Sequence, residues 1–286
     1  STTNIRQNFA HDGGGILNFG KATIIDSSIA QNGGDSVGGF FNEASGTATI
    51  RNSTISDNHV GGFTGGISNH GVMLITNSTI ANNSAQSLAG IAVSGLGPLT
   101  IINSTISGNH HHQFLSAPSV FGAEITMQNT IVALNDLPDC PPTSLGNNLF
   151  GNPSGCSAPL HPTDLTGDPG LGTFVDSGAP GSGRFPLLPS SQAIDAGNET
   201  VCAATDQLET PWRGRCDIGA VEFYPIINDL VALANVKTDF DPTPVPDGPA
   251  GIFRITGEFT NMSKETIGHR FAEVVELAGD NLLLNA

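Results

Sequence analysis

Basic residues are scarce in this chain of 286 residues. It holds only 10 Lys and Arg against 26 Asp and Glu, which gives a formal net charge of −16. A surface this acidic repels phosphate groups, so nucleic-acid binding is excluded as a function class. We expect no cofactor, and Ca²⁺ is the one ion that the composition would favour, at Asp-rich loops. An ordinary solvated acidic surface explains the same charge.

Long apolar runs are also missing, and Trp and Tyr are rare. No apolar run approaches the ~18 residues that a membrane helix needs, so we predict no membrane span. Aromatic residues for stacking sugars are scarce, with one Trp, one Tyr and 15 Phe. No signal peptide precedes the first residues, which already belong to a repeat. We therefore expect the chain to derive from a longer precursor.

Cysteine is limited to four residues, all between positions 140 and 216. Their spacing does not match a Cys-x-x-Cys metal site. Four cysteines allow three pairings, and the economical one joins neighbours as Cys140–Cys156 and Cys202–Cys216. Two such disulfides indicate an oxidising compartment, so we predict a secreted protein, extracellular or at the cell surface.

A seven-residue motif, seen as Asn103-Ser-Thr-Ile-Ser-Gly-Asn109, recurs about every 25 residues along positions 1–135. This period is too short for paired helices, and the β-branched residues indicate two or three short strands per repeat. Stacked coils would pair each strand in parallel with its equivalent one turn away, at ~4.8 Å. The repeats thus predict an all-β fold, a parallel β-helix. Its predicted core ladder is Ile29, Ile55, Ile80, Ile106 and Ile131.

Two columns of asparagine flank this isoleucine ladder. Asn tolerates left-handed backbone at a bend and can bond its own backbone and its stacked equivalents. We predict one ladder from Asn52, Asn77 and Asn103, and a second from Asn58, Asn83 and Asn109. Some of these residues also spell glycosylation acceptor sites. Their regular recurrence favours the stacking role. A leucine-rich repeat shares the period but requires Leu where this chain has Ile.

Three adjacent histidines, His110 to His112, interrupt the fourth full repeat. Histidine is a common ligand of transition metals, but adjacent residues rarely converge on one ion, and no carboxylate is close in sequence. We predict an exposed polar loop that projects from the rod and no metal site.

The regular period stops after residue 135. Residues 136–223 are rich in Pro and Gly, and we predict that they form a C-terminal cap over the last coil, fastened by the disulfides.

Residues 224–286 show alternating apolar residues over 230–236, 252–259 and 270–277. This pattern predicts a small β-sandwich-like domain. Because three strands are few for such a domain, we expect it to be incomplete.

Four segments carry a resemblance to a known family. They are Ser144-Leu-Gly-Asn-Asn-Leu-Phe-Gly151, Asp168-Pro-Gly-Leu-Gly172, Leu187-Leu-Pro-Ser-Ser-Gln-Ala-Ile-Asp-Ala-Gly197 and Arg215-Cys-Asp-Ile-Gly-Ala-Val-Glu-Phe223. In this order, behind the Asn-Ser-Thr-Ile repeats, they resemble the bacterial choice-of-anchor Q domain proteins over roughly residues 1–223. The resemblance implies a surface protein with a right-handed β-helix similar to pectin lyases, and no established catalytic site.

The residues that β-helix enzymes use for catalysis are scarce in this sequence. A β-helix lyase typically needs Arg or Lys beside a Ca²⁺ ion, and a hydrolase needs two facing carboxylates. Residues 1–135 have three basic residues, and His11 beside Asp12 is the best remaining acid–base couple. We predict no enzyme, but a structural or adhesive surface protein that self-associates or contacts a neighbouring surface protein, in a sharper version a head-to-tail filament. A polysaccharide lyase or hydrolase and a Ca²⁺-dependent glycan-binding module are the alternatives.

Overall fold

The computed structural model describes residues 2–112, 118–139, 143–154, 156, 158–212, 214–224, 231–241 and 252–261. The chain divides into two compact units, Ser1–Phe223 and Tyr224–Ala286. In the described parts of both units the regular structure is entirely β, and no helix there is long and apolar enough to cross a membrane. The first unit is a parallel β-solenoid of about five turns, which confirms the predicted fold class.

The largest sheet of the solenoid, sheet A, has eight parallel strands. Numbered with all other strands in chain order, they are β1 (Asn4–Arg6), β5 (Ser28–Ala30), β9 (Thr54–Ser56), β13 (Thr79–Ala81), β17 (Thr105–Ser107), β21 (Ile131–Ala133), β22 (Leu149–Phe150) and β23 (Leu165–Thr166). Each coil contributes one strand through the middle of the Asn-Ser-Thr-Ile motif. The last two strands come from the segment beyond the repeats.

Three further sheets have five strands each. Sheet B contains β2 (Phe9–Ala10), β6 (Gly33–Gly34), β10 (His59–Val60), β14 (Ser84–Ala85) and β18 (His110–His111). Sheet C contains β3 (Ile16–Asn18), β7 (Phe40–Asn42), β11 (Ile67–Asn69), β15 (Ile91–Val93) and β19 (Val120–Gly122). Sheet D contains β4 (Lys21–Ile25), β8 (Thr47–Arg51), β12 (Val72–Thr76), β16 (Leu99–Ile102) and β20 (Ile125–Gln128).

Each coil therefore has four strands, where the sequence predicted two or three. The strands of sheet B are only two residues long and mix Gly, Ser, His, Ala, Phe and Val, so they show no repeated apolar column in the sequence. Sheets A and C each turn one main apolar column inward and sheet D turns two, because side chains alternate between the two faces of a strand. Ile29, Ile55, Ile80 and Ile106 pair in register in sheet A and are buried in the core.

The predicted core ladder is wrong at its last member. Val132 pairs with Ile106, whereas Ile131 pairs with Thr105 and faces a separate apolar cluster with Leu149. The asparagines set this register. Asn129 bonds to the side chain of Asn103, 26 residues earlier, and equal spacing puts Val132 opposite Ile106. A one-residue shift exchanges the faces of a strand, so Ile131 is buried on the opposite face of sheet A.

The segment that follows the repeats has two parts, and only the first covers the end of the solenoid. There β22 and β23 extend sheet A, and Met127 pairs with Ser144 beyond sheet D. The second part, residues 174–222, runs back along the outer face of sheet A, and we call it the strap. Arg6 in the first coil binds Asp176 of the strap at 2.9 Å. A pure end cap, as the sequence predicted, does not describe this arrangement.

The second unit contributes one described antiparallel pair, β24 (Val231–Asp241) and β25 (Ile252–Asn261), with an irregularity between Ala234 and Lys237. These strands match two of the three that the alternating pattern predicts. The third, over 270–277, lies outside the described residues, so the sandwich-like arrangement stays a prediction.

Candidate functional site

The interior asparagine column forms a continuous ladder of side-chain hydrogen bonds. In every step the Nδ2 group of one asparagine donates to the Oδ1 atom of the next, at 2.9–3.1 Å, and the last donates to the Asp139 carboxylate. We call this the inner ladder; its members are Asn8, Asn32, Asn58, Asn83, Asn109 and Asn135. It thus includes Asn58, Asn83 and Asn109 and runs further in both directions.

Each amide in the middle of the inner ladder has all its hydrogen-bonding groups satisfied. Asn83 donates to Asn109 and to the carbonyl of Ile55. Its Oδ1 atom accepts from the side chain and from the backbone N–H of Asn58. Buried amides are tolerated only when paired in this way, so the ladder fixes the vertical alignment of the coils.

The predicted ladder of Asn52, Asn77 and Asn103 is not formed, since no hydrogen bond joins these described side chains to one another. All three have left-handed backbone, with φ of 45° to 49°, as predicted for a bend. That geometry directs the side chains toward the strap. Asn77 donates to the carbonyl of Thr205 at 2.7 Å, and Asn103 donates to that of Val201 at 3.2 Å.

The serine of the motif also has a structural role, which the sequence analysis did not predict. The Oγ atom of each motif serine accepts the backbone N–H of the serine one coil earlier, at 3.2–3.3 Å, through Ser53, Ser78 and Ser104. A further buried column links Asn18 to Asn42 and Asn42 to Asn69 at 2.7 and 2.8 Å. Its signal was present in the sequence as three Asn at repeat spacing.

Gln207 is the main polar anchor of the strap. Its Nε2 group donates to the carbonyls of Gly181 and Gly183, both at 2.8 Å, and its Oε1 atom accepts from Thr79 at 2.6 Å. Thr54 donates to Gly183 as well. The motif threonines thus face outward to hold the strap, and this buried glutamine joins two of its passes to sheet A.

Carboxylates cluster in the strap beside a cavity of about 10 Å³. The Glu222 carboxylate accepts the backbone N–H of Asp217, and the Asp206 carboxylate accepts that of Glu222, both at 3.1 Å. Burial raises the pKa of Glu222 to about 8, and the charges of Asp217, Asp206 and Asp195 add to this rise. The group braces backbone turns, and the cavity beside it is too small for a sugar ring.

The histidine segment is not a projecting loop over its described part. His110 and His111 form β18 within sheet B, and residues 113–117 lie outside the described residues. A carboxylate is also close, contrary to the sequence expectation. Asp136 binds the His110 ring at 3.0 Å and accepts the backbone N–H of His111 at 2.9 Å. Although burial opposes it, these bonds lower the pKa of Asp136.

Neither metal binding nor acid–base chemistry gains support from the other titratable groups. Within the described ranges, no group of three or more His, Cys, Asp or Glu could hold a metal ion. His11 and Asp12 form an exposed pair at 3.1 Å. The hydrogen bond and charge of Asp12 raise the pKa of His11, as expected for any such surface pair.

One of the two predicted disulfides lies within the described chain. Cys202 and Cys216 are bonded, and their bridge closes a loop inside the strap. Cys140 lies outside the described residues, so its pairing with Cys156 stays a prediction.

Comparisons with protein-family models, with curated proteins and with solved structures found no match. The solenoid is consistent with the β-helix that the choice-of-anchor Q resemblance implies. The family assignment itself, and the right-handed sense of the coil, stay predictions.

Proposed function

We propose that this chain is a non-enzymatic structural or adhesive protein of the cell exterior, in which a rigid β-solenoid rod presents contact surfaces. The observation that carries the proposal is the inner ladder, which joins successive coils from Asn8 to Asp139. A buried chain of saturated amides specifies vertical alignment, because any slip would leave polar groups unpaired.

The strap supports the same role. It bonds to the first coil through Asp176, to the middle coils through Gln207, and near the last coil through Gly219, whose N–H donates to Asn129. Because it crosses several coils, it resists their separation. A protein whose outer face is braced along its length is suited to bear load or to hold sites apart.

An extracellular location is favoured by the Cys202–Cys216 disulfide, since such bonds persist mainly in oxidising compartments. The acidic composition keeps a surface protein soluble and well hydrated. The resemblance to bacterial choice-of-anchor Q proteins points to the same setting.

A sharper form of the proposal is head-to-tail assembly of copies into a filament. Sheets B and C end in strands β18 and β19 on one side, where Ser144 already pairs with β20 of sheet D, and all three sheets end in β2, β3 and β4 on the other side. Edge strands present backbone groups that another chain can pair with, and a heterologous contact that does not close generates fibres. Partner surfaces on a second copy would then continue the same sheets.

Light scattering and electron microscopy over a concentration series test the filament. We expect polymers whose length grows with protein concentration. Monodisperse monomers at high concentration would exclude assembly, although the single rod would remain.

The enzyme alternative is tested by incubating the protein with pectin, alginate and neutral glycans. Release of reducing ends or unsaturated products would overturn the non-enzymatic proposal.

The Ca²⁺-dependent glycan-binding alternative is tested by calorimetric titration with Ca²⁺ alone. Heat of binding at a defined stoichiometry would support that alternative. No metal-holding cluster among the described residues favours that alternative.

A further inference from the structure

An apolar groove of about 280 Å³ lies on the outer face of sheet C, and no residue of the strap lines it. We call it the outer groove. Its principal residues are Phe41, Phe63, Ser68, His70, Ala92 and Phe121. Pockets that hold small molecules usually measure about 300–1,000 Å³, so the outer groove is near the lower end of that range.

The register of sheet C builds the groove from one outward column. Phe41, Ser68, Ala92 and Phe121 are paired neighbours on successive strands. At a rise of ~4.8 Å per coil, the two phenylalanines are separated by ~14 Å along the rod. The small side chains of Ser68 and Ala92 between them leave a depression with an aromatic ring at each end.

Aromatic rings around this depression face solvent. Phe63 is 67% exposed and Phe121 is 47% exposed. The buried Phe41 ring holds the His70 ring edge-on, with centroids 4.9 Å apart, which fixes the imidazole at the groove wall. Exposed rings grouped around a concave surface mark a binding site more often than isolated apolar residues do.

Charge narrows the class of ligand. None of the described residues that line the groove is Asp, Glu, Lys or Arg, although the chain carries a net charge of −16. Hydroxyl groups of Ser36, Ser68 and Ser94 lie among the rings instead. A surface of rings and hydroxyls without charges matches a ligand that is neutral and has both an apolar face and polar edges.

A peptide partner fits this surface less well. Peptides that bind sheets commonly add a strand at an edge, where backbone groups are free. Strands β7, β11 and β15, which carry the groove, are paired on both sides. Only side chains remain for recognition, and their mixture suits a pyranose ring, which is apolar on its faces and hydroxylated at its rim.

We infer that the outer groove binds a neutral oligosaccharide, with pyranose rings stacked on Phe63 and on Phe121 and their hydroxyl groups bonded to the serines and to His70. The inference deepens the adhesive part of the proposed function by naming a partner class. It requires neither Ca²⁺ nor self-assembly.

Isothermal titration calorimetry with defined sugars tests the inference. The probes are linear hexasaccharides of glucose, of mannose and of N-acetylglucosamine, and a galacturonate hexamer serves as the charged comparison. We expect at least one neutral probe to bind and the charged one to bind more weakly. Phe63→Ala and Phe121→Ala should each reduce the affinity by about five- to tenfold, the effect of losing one stacked ring.

Two variants make the test specific. Phe19→Ala removes a ring that is 62% exposed but lies outside the groove, and it should leave the affinity unchanged. Ala92→Phe fills the floor with a ring that its column already carries at Phe41 and Phe121, so the fold should accept it and binding should be lost. Thermal unfolding of each variant verifies the fold.

Failure of every neutral probe to bind at millimolar concentration would overturn the groove proposal, as would equal losses in Phe63→Ala and Phe19→Ala. Binding of an apolar peptide that Phe63→Ala abolishes, without sugar binding, would assign the groove to a protein partner instead. None of these results affects the filament proposal, because light scattering tests that separately.

Discussion

The solenoid and its strap bury polar groups in opposite ways. Inside the solenoid, the buried asparagines of the two interior columns bond to their equivalents 24 to 27 residues away, as Asn58 does with Asn83. In the strap, the anchors are unique pairs far apart in sequence, such as Thr79 with Gln207, 128 residues later. The solenoid repeats the same hydrogen bond in every coil, whereas the strap depends on hydrogen bonds that each occur once.

This difference predicts two kinds of failure. Damage to a ladder residue removes support from the coils on both sides, so the whole rod should lose stability. Damage to a strap anchor should release a local segment and leave the sheets intact.

The largest effect is expected from Asn83→Asp. At pH 7 the carboxylate cannot donate to Asn109 or to the Ile55 carbonyl, and it buries a negative charge that only the N–H groups of Asn58 can contact. We expect a loss of about 3–5 kcal/mol in the free energy of unfolding, measured with denaturant. Asn8→Asp is the control, because Asn8 is exposed, and it should cost less than about 1 kcal/mol. Equal losses in the two variants would contradict a buried cooperative ladder.

The double variant Cys202→Ser with Cys216→Ser should have the next largest effect. The bridge spans 14 residues of sequence, and opening such a loop costs roughly 3 kcal/mol through the entropy of the unfolded chain. Hydrogen exchange should increase over residues 198–222 and stay slow in β13 and β17. Uniform loss of protection across sheet A would mean that strap and rod fold as one unit.

Gln207→Leu sharpens the comparison at a single anchor. It removes the Gln207 donor from the carbonyl of Gly181, leaves that of Gly183 with Thr54 alone, and takes the acceptor from the Thr79 hydroxyl. We expect this to cost about 2–3 kcal/mol. Hydrogen exchange should show faster exchange around residues 181–183, with the inner ladder unaffected. Gln192→Leu, at an exposed position of the strap, is the matched control and should change little.

The smallest effect concerns pH. The folded pKa of Glu222 is raised to about 8 from an ordinary value of 4.5, so between these values the folded state binds more protons than the unfolded state. Stability from this group is therefore present below pH 4.5 and is lost as the pH rises to 8. Solvent screening of the partly exposed carboxyl keeps the effect modest.

Glu222→Gln should remove this dependence. We expect the variant to unfold at a higher temperature than the unmodified protein at pH 8 and at the same temperature at pH 4, as followed by circular dichroism. Glu124→Gln changes an exposed carboxyl in β-solenoid surroundings and should show the same small difference at both pH values. A lower unfolding temperature for Glu222→Gln at pH 8 would contradict the raised pKa.

The parallel strands and the core of the solenoid could be predicted from the sequence, because the same residue pattern recurs in each coil. The spacing of Ile55, Ile80 and Ile106 was sufficient to predict parallel pairing and an inward core. Alignment on isoleucine puts Ile131 opposite Ile106, whereas the asparagine spacing gives the observed partner, Val132. Hydrogen-bond geometry tolerates a one-residue shift less than apolar packing does, so the asparagines were the better guide.

The strap could not be predicted in the same way. Its contacts join residues such as Asn77 and Thr205 that occur once and share no period. Proline and glycine indicated irregular structure after residue 135 but gave no direction to the chain. The outer groove was equally hidden, because its outward column mixes Phe with Ser and Ala and shows no repeat.

The inner ladder has a direction as well as a length. Along the ladder from Asn8 to Asn135, each side-chain amide accepts from the amide before it and donates one N–H group to the next member, so these bonds all have the same direction and reinforce one another. The positive end of this line meets the buried carboxylate of Asp139, much as an anion stabilises the start of a helix. The rod is therefore an electrically oriented object, with distinguishable ends set by a single row of amides.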